Sequence, residues 1–130
     1  MIDYEFLYSF SKNALDLDAS IIWVGITNRF AVLLNVEQRE GITPFLTEEE
    51  SEEYTSHSIT RHKSRGKFES KIGKVVYAFG RYNNISRATI PINEDYYLLL
   101  TFTKEATNVD EIIMQKVIPL VERHKHKFVA

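Results

Sequence analysis

The residues best suited to chemistry form a basic stretch between Arg61 and Lys74. It holds six basic side chains against one acid, Glu69, in a chain whose net charge is −2. Such a concentration of positive charge is typical of a site for an anion, such as a phosphate group or an acidic partner. A solvated helix end followed by a surface loop has the same composition, because cations are favoured near the carboxyl end of a helix. The six residues are Arg61, Lys63, Arg65, Lys67, Lys71 and Lys74.

Catalytic and metal-binding patterns are missing from the sequence. There is no cysteine, and the five glycines are scattered rather than grouped into a phosphate loop. The four histidines lack the i, i+4 spacing of a helical zinc site, and no G-x-S-x-G elbow occurs. The acids between Glu48 and Glu53 share one exposed helix start, whereas paired catalytic carboxylates need different surroundings. We therefore predict a protein that is not an enzyme and that holds no metal or cofactor.

Length and composition limit the class of protein. The chain of 130 residues, 44% hydrophobic and 12% aromatic, predicts a single domain over residues 1–130. The absence of cysteine, the acidic N-terminus and the lack of an apolar run of about 18 residues predict a cytoplasmic protein without membrane insertion. Nucleic acid is a disfavoured partner, because the net charge is negative and no nucleic-acid-binding motif occurs.

Hydrophobic periodicity predicts three helices. Apolar residues at steps of three and four mark a helix over residues 2–17 and a last helix that begins after Thr107 or Asn108. Between them, Thr47 and Glu50 form a capping box for a middle helix that runs to about Arg65. A proline inside the last helix, Pro119, cannot donate a backbone hydrogen bond, so we expect a kink there.

Five segments are typical of β-strands, and their order predicts the sheet. Residues 21–26 and 96–102 are apolar on both faces, which is typical of central strands. Residues 31–36 follow the first of these as a hairpin, and residues 75–82 and 85–92 are joined by a tight Asn-Asn turn. We predict an α+β fold with the succession α-β-β-α-β-β-β-α. Its five-stranded antiparallel sheet has the order 2-1-5-4-3. The first and last helices lie on one face and the middle helix on the other.

This succession of elements resembles the roadblock/LC7 domain, which has a profilin-like fold. The resemblance covers nearly the whole chain. The segments WVGI at 23–26, RATIPI at 87–92 and YLLL at 97–100 are also similar to a family of small archaeal proteins of unknown function. Roadblock proteins are non-enzymatic, and they dimerise and regulate small GTPases and motor complexes. The resemblance implies that two middle helices pair around a two-fold axis and that the third strands join the two sheets.

The residues themselves favour the same homodimer. The third strand is a sheet edge with Val75, Tyr77 and Phe79 on one face, and an apolar edge is an aggregation hazard unless it is covered. The middle helix is poor in large apolar residues, which favours contact with something outside its own core. Its candidate contact residues, at helical spacing, are Tyr54, Ser58 and Arg61. The alternative is that a loop covers the edge and that the helix is simply solvated.

A PAS-like small-molecule sensor is the alternative function. PAS-like domains use a sheet of the same strand order, with a ligand cavity between sheet and helices. Such a cavity could be lined by Trp23, Tyr77, Phe79 or Tyr97. Against it, one continuous capped helix fills the middle of the chain, where PAS domains usually carry several short helices. Core packing is the simplest role for these aromatic residues.

Overall fold

The computed structural model describes residues 2–129 as a sheet between two layers of helices. The element order matches the predicted succession, with a short additional α-helix, α3, after the middle helix α2 and with two 3-10 turns, at Gly66–Phe68 and Lys125–Lys127. The last helix is divided by a π-helical turn into α4 and α5, and α4, the turn and α5 together are called the C-terminal helix. The elements are α1 Tyr4–Leu15, β1 Ile21–Asn28, β2 Leu33–Gln38, α2 Glu48–Arg65, α3 Glu69–Ile72, β3 Ala78–Arg81, β4 Ile85–Pro91, β5 Tyr96–Thr103, α4 Val109–Ile112, the turn Ile113–Val117 and α5 Ile118–His124.

The five strands form one antiparallel sheet in the order β2-β1-β5-β4-β3, as predicted. Seven of the eight residues of β1, and seven of the eight of β5, are buried. These two strands lie at the centre because their side chains are apolar on both faces and must be covered from both sides. The edges of the sheet are β2 on one side and β3 on the other.

The main core lies between one face of the sheet and the layer formed by α1 and the C-terminal helix. Val24 and Ile26 of β1 and Leu98 and Leu100 of β5 point into this layer, because alternate strand residues share a face. Helix α1 begins where the Asp3 side chain accepts hydrogen bonds from two backbone N–H groups of the first turn. It buries its apolar stripe against β1 and β2. This layer therefore has the arrangement that helical periodicity predicts.

Helix α2 covers the opposite face with small and polar residues. Its capping box forms as expected: Glu50 N–H donates to the Thr47 hydroxyl, and the Thr47 N–H donates to the Glu50 carboxylate. The buried residues of α2 are Ser51, Thr55, Ser58 and Ile59. The hydroxyls of Thr55 and Ser58 donate to carbonyls one turn earlier. One face of α2 is thus packed within the chain.

The edge strand β3 is shorter than the sequence pattern predicts. It begins at Ala78 rather than at residue 75, and pairs with β4 only from Ala78 opposite Thr89 to Arg81 opposite Ser86. Further pairing would bring residue 76 opposite Pro91, which has no N–H to donate to a ladder. Residues 73–77 form no strand within the chain. Val75 and Tyr77 therefore precede the strand that was expected to carry them.

The C-terminal helix carries a π-helical turn immediately before Pro119, and the kink expected there stays a prediction. The turn spans Ile113–Val117, and the N–H of Ile118 donates to the carbonyl of Ile113. Pro119 has no N–H to donate, and the wider turn immediately before it gives the N–H of Ile118 an acceptor five residues earlier. Separately, no helix within residues 2–129 is both long and apolar enough to cross a membrane.

A glycine in β1 gives a test of the packing between β1 and α2. A Cβ added to Gly25 would lie 2.4 Å from Cη2 of Trp23, whereas one added to Gly66, at the end of α2, meets no atom within 4 Å. We expect Gly25→Ala to lower the free energy of unfolding by about 1–3 kcal/mol through overpacking. Gly66→Ala should leave it unchanged or raise it by up to about 1 kcal/mol. Urea denaturation measures both, and equal midpoints for the two variants would contradict this packing.

Candidate functional site

A buried arginine on β4 lies at the centre of the contact between α2 and the sheet. The guanidinium carbon of Arg87 is 4.9 Å from the ring centroid of Trp23 and 4.3 Å from that of Tyr54. The guanidinium carbon of Arg61 lies 5.5 Å from the same Tyr54 ring. Rings and cations thus alternate from β1 through β4 to α2. Such contacts are favourable because the ring faces carry negative potential, and they strengthen where water is excluded.

The stack of Trp23, Arg87, Tyr54 and Arg61 is called the column, and the local sequence explains how it forms. Arg87 faces α2 because it alternates along β4 with Ala88 and Ile90, whose side chains enter the main core. It pairs across the sheet with Thr101 on one side and Gly80 on the other. In β1, the absence of a side chain at Gly25 leaves the space in which the Trp23 indole lies. Gly25 beside Trp23 and Gly80 opposite Arg87 therefore leave space for the large side chains of the column.

Arg87 has no counter-charge within the described chain. It is only 7% exposed, none of the salt bridges among residues 2–129 includes it, and its Nη2 has no hydrogen-bond partner. Burial lowers the pKa of Arg87, while the neighbouring Tyr54 and Tyr82 oppose that shift. The ordinary guanidinium pKa is so far above neutrality that the group stays charged at pH 7. A buried, unpaired cation is costly, so its surroundings are the first place to seek a functional anion.

Two tyrosines close the outer side of this column. The hydroxyls of Tyr54 on α2 and Tyr82, after β3, lie 2.9 Å apart, within hydrogen-bond distance. The pKa of Tyr54 is raised, first by burial and then by the hydrogen bond with Tyr82, against the opposing effect of Arg87. The hydroxyl of Tyr54 therefore stays protonated at neutral pH. It supplies a polar neighbour to Arg87 but no negative charge.

A groove opens beside this column, between α2 and the edge strand β3. Its volume is about 170 Å³, and we call it the arginine groove. Its floor is made by small residues of β3, Ala78 and Gly80, which face the same side of the sheet as Arg87 and Thr89. Its lining residues are Tyr54, Ser58, Arg61, Arg65, Ala78, Phe79, Gly80, Tyr82, Arg87 and Thr89. Three of them are cationic and none is acidic.

A larger open cleft, of about 820 Å³, lies at the carboxyl end of α2. It is lined by both signs of charge, and two of its lysines have acidic neighbours. Lys74 Nζ lies 4.0 Å from Glu69 Oε1, and Lys125 Nζ lies 3.3 Å from Glu122 Oε2. His62 and Tyr97 meet in this cleft with their ring centroids 5.0 Å apart. The cleft is therefore electrostatically mixed, unlike the arginine groove.

The structure divides the predicted basic stretch between these two spaces. Arg61 lines the arginine groove, Lys63 and Lys74 line the large cleft, and Arg65 borders both. The remaining two, Lys67 and Lys71, are exposed and line neither space. The six residues predicted as one anion site do not converge. The most buried cation beside the groove, Arg87, lies outside that stretch of sequence.

The six residues expected at a dimer contact are also separated. Ser58 is buried beneath α2, where it accepts a hydrogen bond from Arg61. Tyr77 donates a hydrogen bond to Asp110 of the C-terminal helix, and its side chain packs against the main core. Phe79 is exposed on β3, Val75 is partly buried beside the large cleft, and Tyr54 lies in the column. Only Arg61 and Phe79 of the six are exposed.

The aromatic residues proposed for a sensor cavity do not share one space. Trp23 borders a space of about 30 Å³, room for about one water molecule. Tyr97 lines the large cleft and Phe79 the arginine groove, while Tyr77 contacts Asp110. Among residues 2–129, no three side chains of the metal-ligating types converge. The three arginines of the groove therefore remain as the candidates for binding a ligand.

Sequence periodicity gave no sign of the role of Arg87, although one signal was present. A charged residue stands in a strand that lies next to the centre of the sheet, two positions from Thr89 and flanked by small residues. Arginine is almost never fully buried unless it is paired, so such a position marks an unusual environment. What could not be read from the sequence is that Trp23 and Tyr54 lie on its two sides.

Comparison with solved structures identifies the fold. No family model matches the chain, and no curated protein matches it by sequence. "MglB with tetrameric arrangement" is similar at a TM-score of 0.78 and 10% identity, over 95% of this chain and 88% of that one. The gliding protein MglB of Thermus thermophilus gives 0.71 and 12%, over 95% and 86%. A roadblock/LC7 domain of Streptomyces avermitilis gives 0.69 and 8%, over 90% and 92%.

These likenesses confirm the predicted roadblock/LC7-like fold. Identities of 8–12% establish the arrangement of elements and leave the activity of this chain to be argued separately. The similarity to a small archaeal family stays a prediction.

The contact of His62 with Tyr97 predicts a pH effect on stability. Burial, and then the nearby Arg65, lower the pKa of His62 below its ordinary value, with Glu69 opposing. The unfolded chain then binds this proton first, so stability should fall as pH drops below about 6.5. We expect His62→Gln to remove that part of the decline between pH 7 and pH 5. Denaturant titrations across this range measure it.

The matched control is His57→Gln, because His57 is an exposed residue of the same helix. This variant should keep the wild-type pH dependence. If both variants followed the wild-type curve, the burial of His62 would not influence stability.

Proposed function

We propose that this chain, with its roadblock/LC7-like fold, is a non-catalytic interaction and regulatory module that works as a homodimer. In this proposal the chain is one cytoplasmic domain. The observation that carries it is the free edge of β3. This edge and the segments beside it leave several large apolar side chains in contact with water, which soluble monomers generally avoid.

Several large apolar residues in β3 and in the segments next to it are exposed. Ile72 is 84% exposed, Val76 52% and Phe79 39%. Tyr82 follows β3 directly and is also exposed. Residues 74–77 pair with no strand among residues 2–129, so their backbone groups could pair with a second strand. A second copy that pairs along this edge would cover the side chains and satisfy the backbone together.

The other edge of the sheet is better protected. Helix α1 packs along β2, and Lys12 Nζ lies 3.7 Å from Glu37 Oε1 across that contact. Strand β3, in contrast, packs mainly against β4. Charged side chains and a covering helix are devices that protect an edge from pairing. The difference favours β3 as the edge that is used in assembly.

The residues that support this interface differ in part from those expected from periodicity. Phe79 and Arg61 remain, because both are exposed. Val76, Ile72 and Tyr82 join them as exposed neighbours of the edge. Tyr77 and Ser58 already have partners within the chain, so their contribution to a dimer would be indirect.

The fold supports the proposal by analogy. One of the similar structures is an MglB that has a tetrameric arrangement, so self-assembly occurs on this fold in that protein. The family resemblance makes a small GTPase the class of partner that we propose for the dimer. Titration of the dimer with a small GTPase loaded with GDP or with a GTP analogue tests this. Absence of binding in both nucleotide states would contradict it.

A charge on the β3 edge tests the dimer. We expect the wild-type protein to sediment at about twice the chain mass of 15.2 kDa. Phe79→Asp should sediment as a monomer, because a carboxylate would be buried in the apolar contact at a cost of several kcal/mol. Its circular dichroism should remain that of the folded protein, since the side chain is exposed in one copy. Analytical ultracentrifugation at high micromolar concentration measures the mass.

The matched control lies on the opposite edge. Val36 on β2 is 43% exposed, close to the 39% of Phe79. Val36→Asp should therefore leave the dimer intact. A monomeric wild-type protein would contradict the homodimer, and dissociation by Val36→Asp alone would place the contact on β2 instead.

A further inference from the structure

The arginine groove has the composition of an anion site. Arg61 and Arg65 lie on its rim, and Arg87 forms its most buried charged group. The lining also offers hydroxyl groups from Thr89 and the tyrosine pair. No carboxylate lines the groove, and none of these three arginines takes part in a salt bridge within residues 2–129. Three like charges around one small space repel each other unless an anion enters.

Arg87 places a buried cation beside the groove. Its guanidinium is held between two rings and is more than nine-tenths buried, so its position is set before any ligand arrives. Its Nη2 is buried and has no acceptor within the described chain, and the residue borders both the groove and the small space beside Trp23. Thr55 and Ser58 use their hydroxyls within α2, so neither neutralises it. A preorganised, uncompensated cation is what an oxyanion site requires, because the cost of ordering and desolvation is met during folding.

We propose that the arginine groove binds a phosphoryl group. Guanidinium groups present planar pairs of N–H donors that match phosphate oxygens. Three positive charges are also balanced better by a doubly charged phosphoryl group than by a singly charged carboxylate. Thr89 offers a further hydroxyl group at the wall of the groove. The phosphoryl group belongs either to a free small molecule or to a phosphorylated side chain. Every residue in the site comes from one chain, although Arg61, Phe79 and Tyr82 of its lining also border the edge proposed for the dimer.

The large cleft does not compete for this ligand. Its lining includes Glu69, Glu94 and Glu122 beside its basic residues, and two of its lysines are already within 4.0 Å of a carboxylate. An anion entering there would meet repulsion as well as attraction. The groove is smaller but has one sign of charge. Salt screens its partly buried charges less than it screens exposed ones.

The probes are inorganic phosphate, pyrophosphate and free O-phosphoserine at millimolar concentration. Binding is measured by calorimetry and by the rise in melting temperature, with sodium chloride at equal ionic strength as the reference. We expect saturable binding and a higher melting temperature with at least one phosphoryl probe, and neither with chloride or acetate. Tighter binding of O-phosphoserine would assign the group to a protein side chain. Tighter binding of phosphate or pyrophosphate would assign it to a free molecule.

Variants locate the site. Arg61→Gln and Arg65→Gln change exposed rim residues, and each should weaken binding about tenfold or more, the usual effect of losing a charge-assisted hydrogen bond. Arg87→Met keeps the length of the buried side chain and should abolish binding. The rim variants keep the test decisive if Arg87→Met does not fold. Lys67→Gln and Lys71→Gln remove the same charge outside the groove and should bind phosphate as the wild type does.

Two results would overturn the proposal. One is the absence of any phosphoryl effect beyond that of chloride or acetate at equal ionic strength. The other is an equal loss of affinity in the rim variants and in the two lysine variants, which would show attraction to the overall charge of the basic stretch rather than to the groove.

Discussion

The contact that places α2 on the sheet depends on one buried cation between two aromatic rings. Arg87 projects from β4 into the space where an apolar stripe would usually be found, and Trp23 and Tyr54 cover its two faces. The arrangement requires space beside the indole, which Gly25 provides. The residues that α2 buries include the small side chains of Ser51, Thr55 and Ser58. Replacing any one of these features would change the position of the helix.

This contact also explains why the two faces of the sheet behave differently. On one face, α1 and the C-terminal helix enclose a continuous apolar core. On the other, α2 buries few apolar atoms, so the hydrophobic contribution there is small and aromatic–cation contacts are proportionally more important. The polar face leaves a groove beside β3, whereas the apolar face is filled. The candidate site and the free edge therefore lie on the same side of the molecule.

Much of the architecture could be predicted, and the errors have local causes. The strand order followed from two doubly apolar strands, because only the centre of a sheet covers both faces. The capping box of α2 followed from Thr47 and Glu50, because capping involves residues three apart in sequence. The length of β3 was overestimated, because Pro91 on the neighbouring strand ends the pairing. The π-helical turn before Pro119 was not predicted, because a proline in the sequence indicates a lost hydrogen bond but not how the helix adjusts to it.

The sequence by itself determined the features that depend on neighbours along the chain. These are the periodicity of α1, the cap of α2, the turns of the meander and the apolar strands whose burial sets the order of the sheet. Tertiary structure alone decided which cations share a space. Arg61 and Arg65 are one helical turn apart on α2. Arg87, on β4, lines the same groove, whereas Lys67 and Lys71 do not. Charge along a sequence shows how many cations are close in the chain. Only the packing of α2 on β4 determines which of them lie within reach of one anion, and which of them have been removed from water.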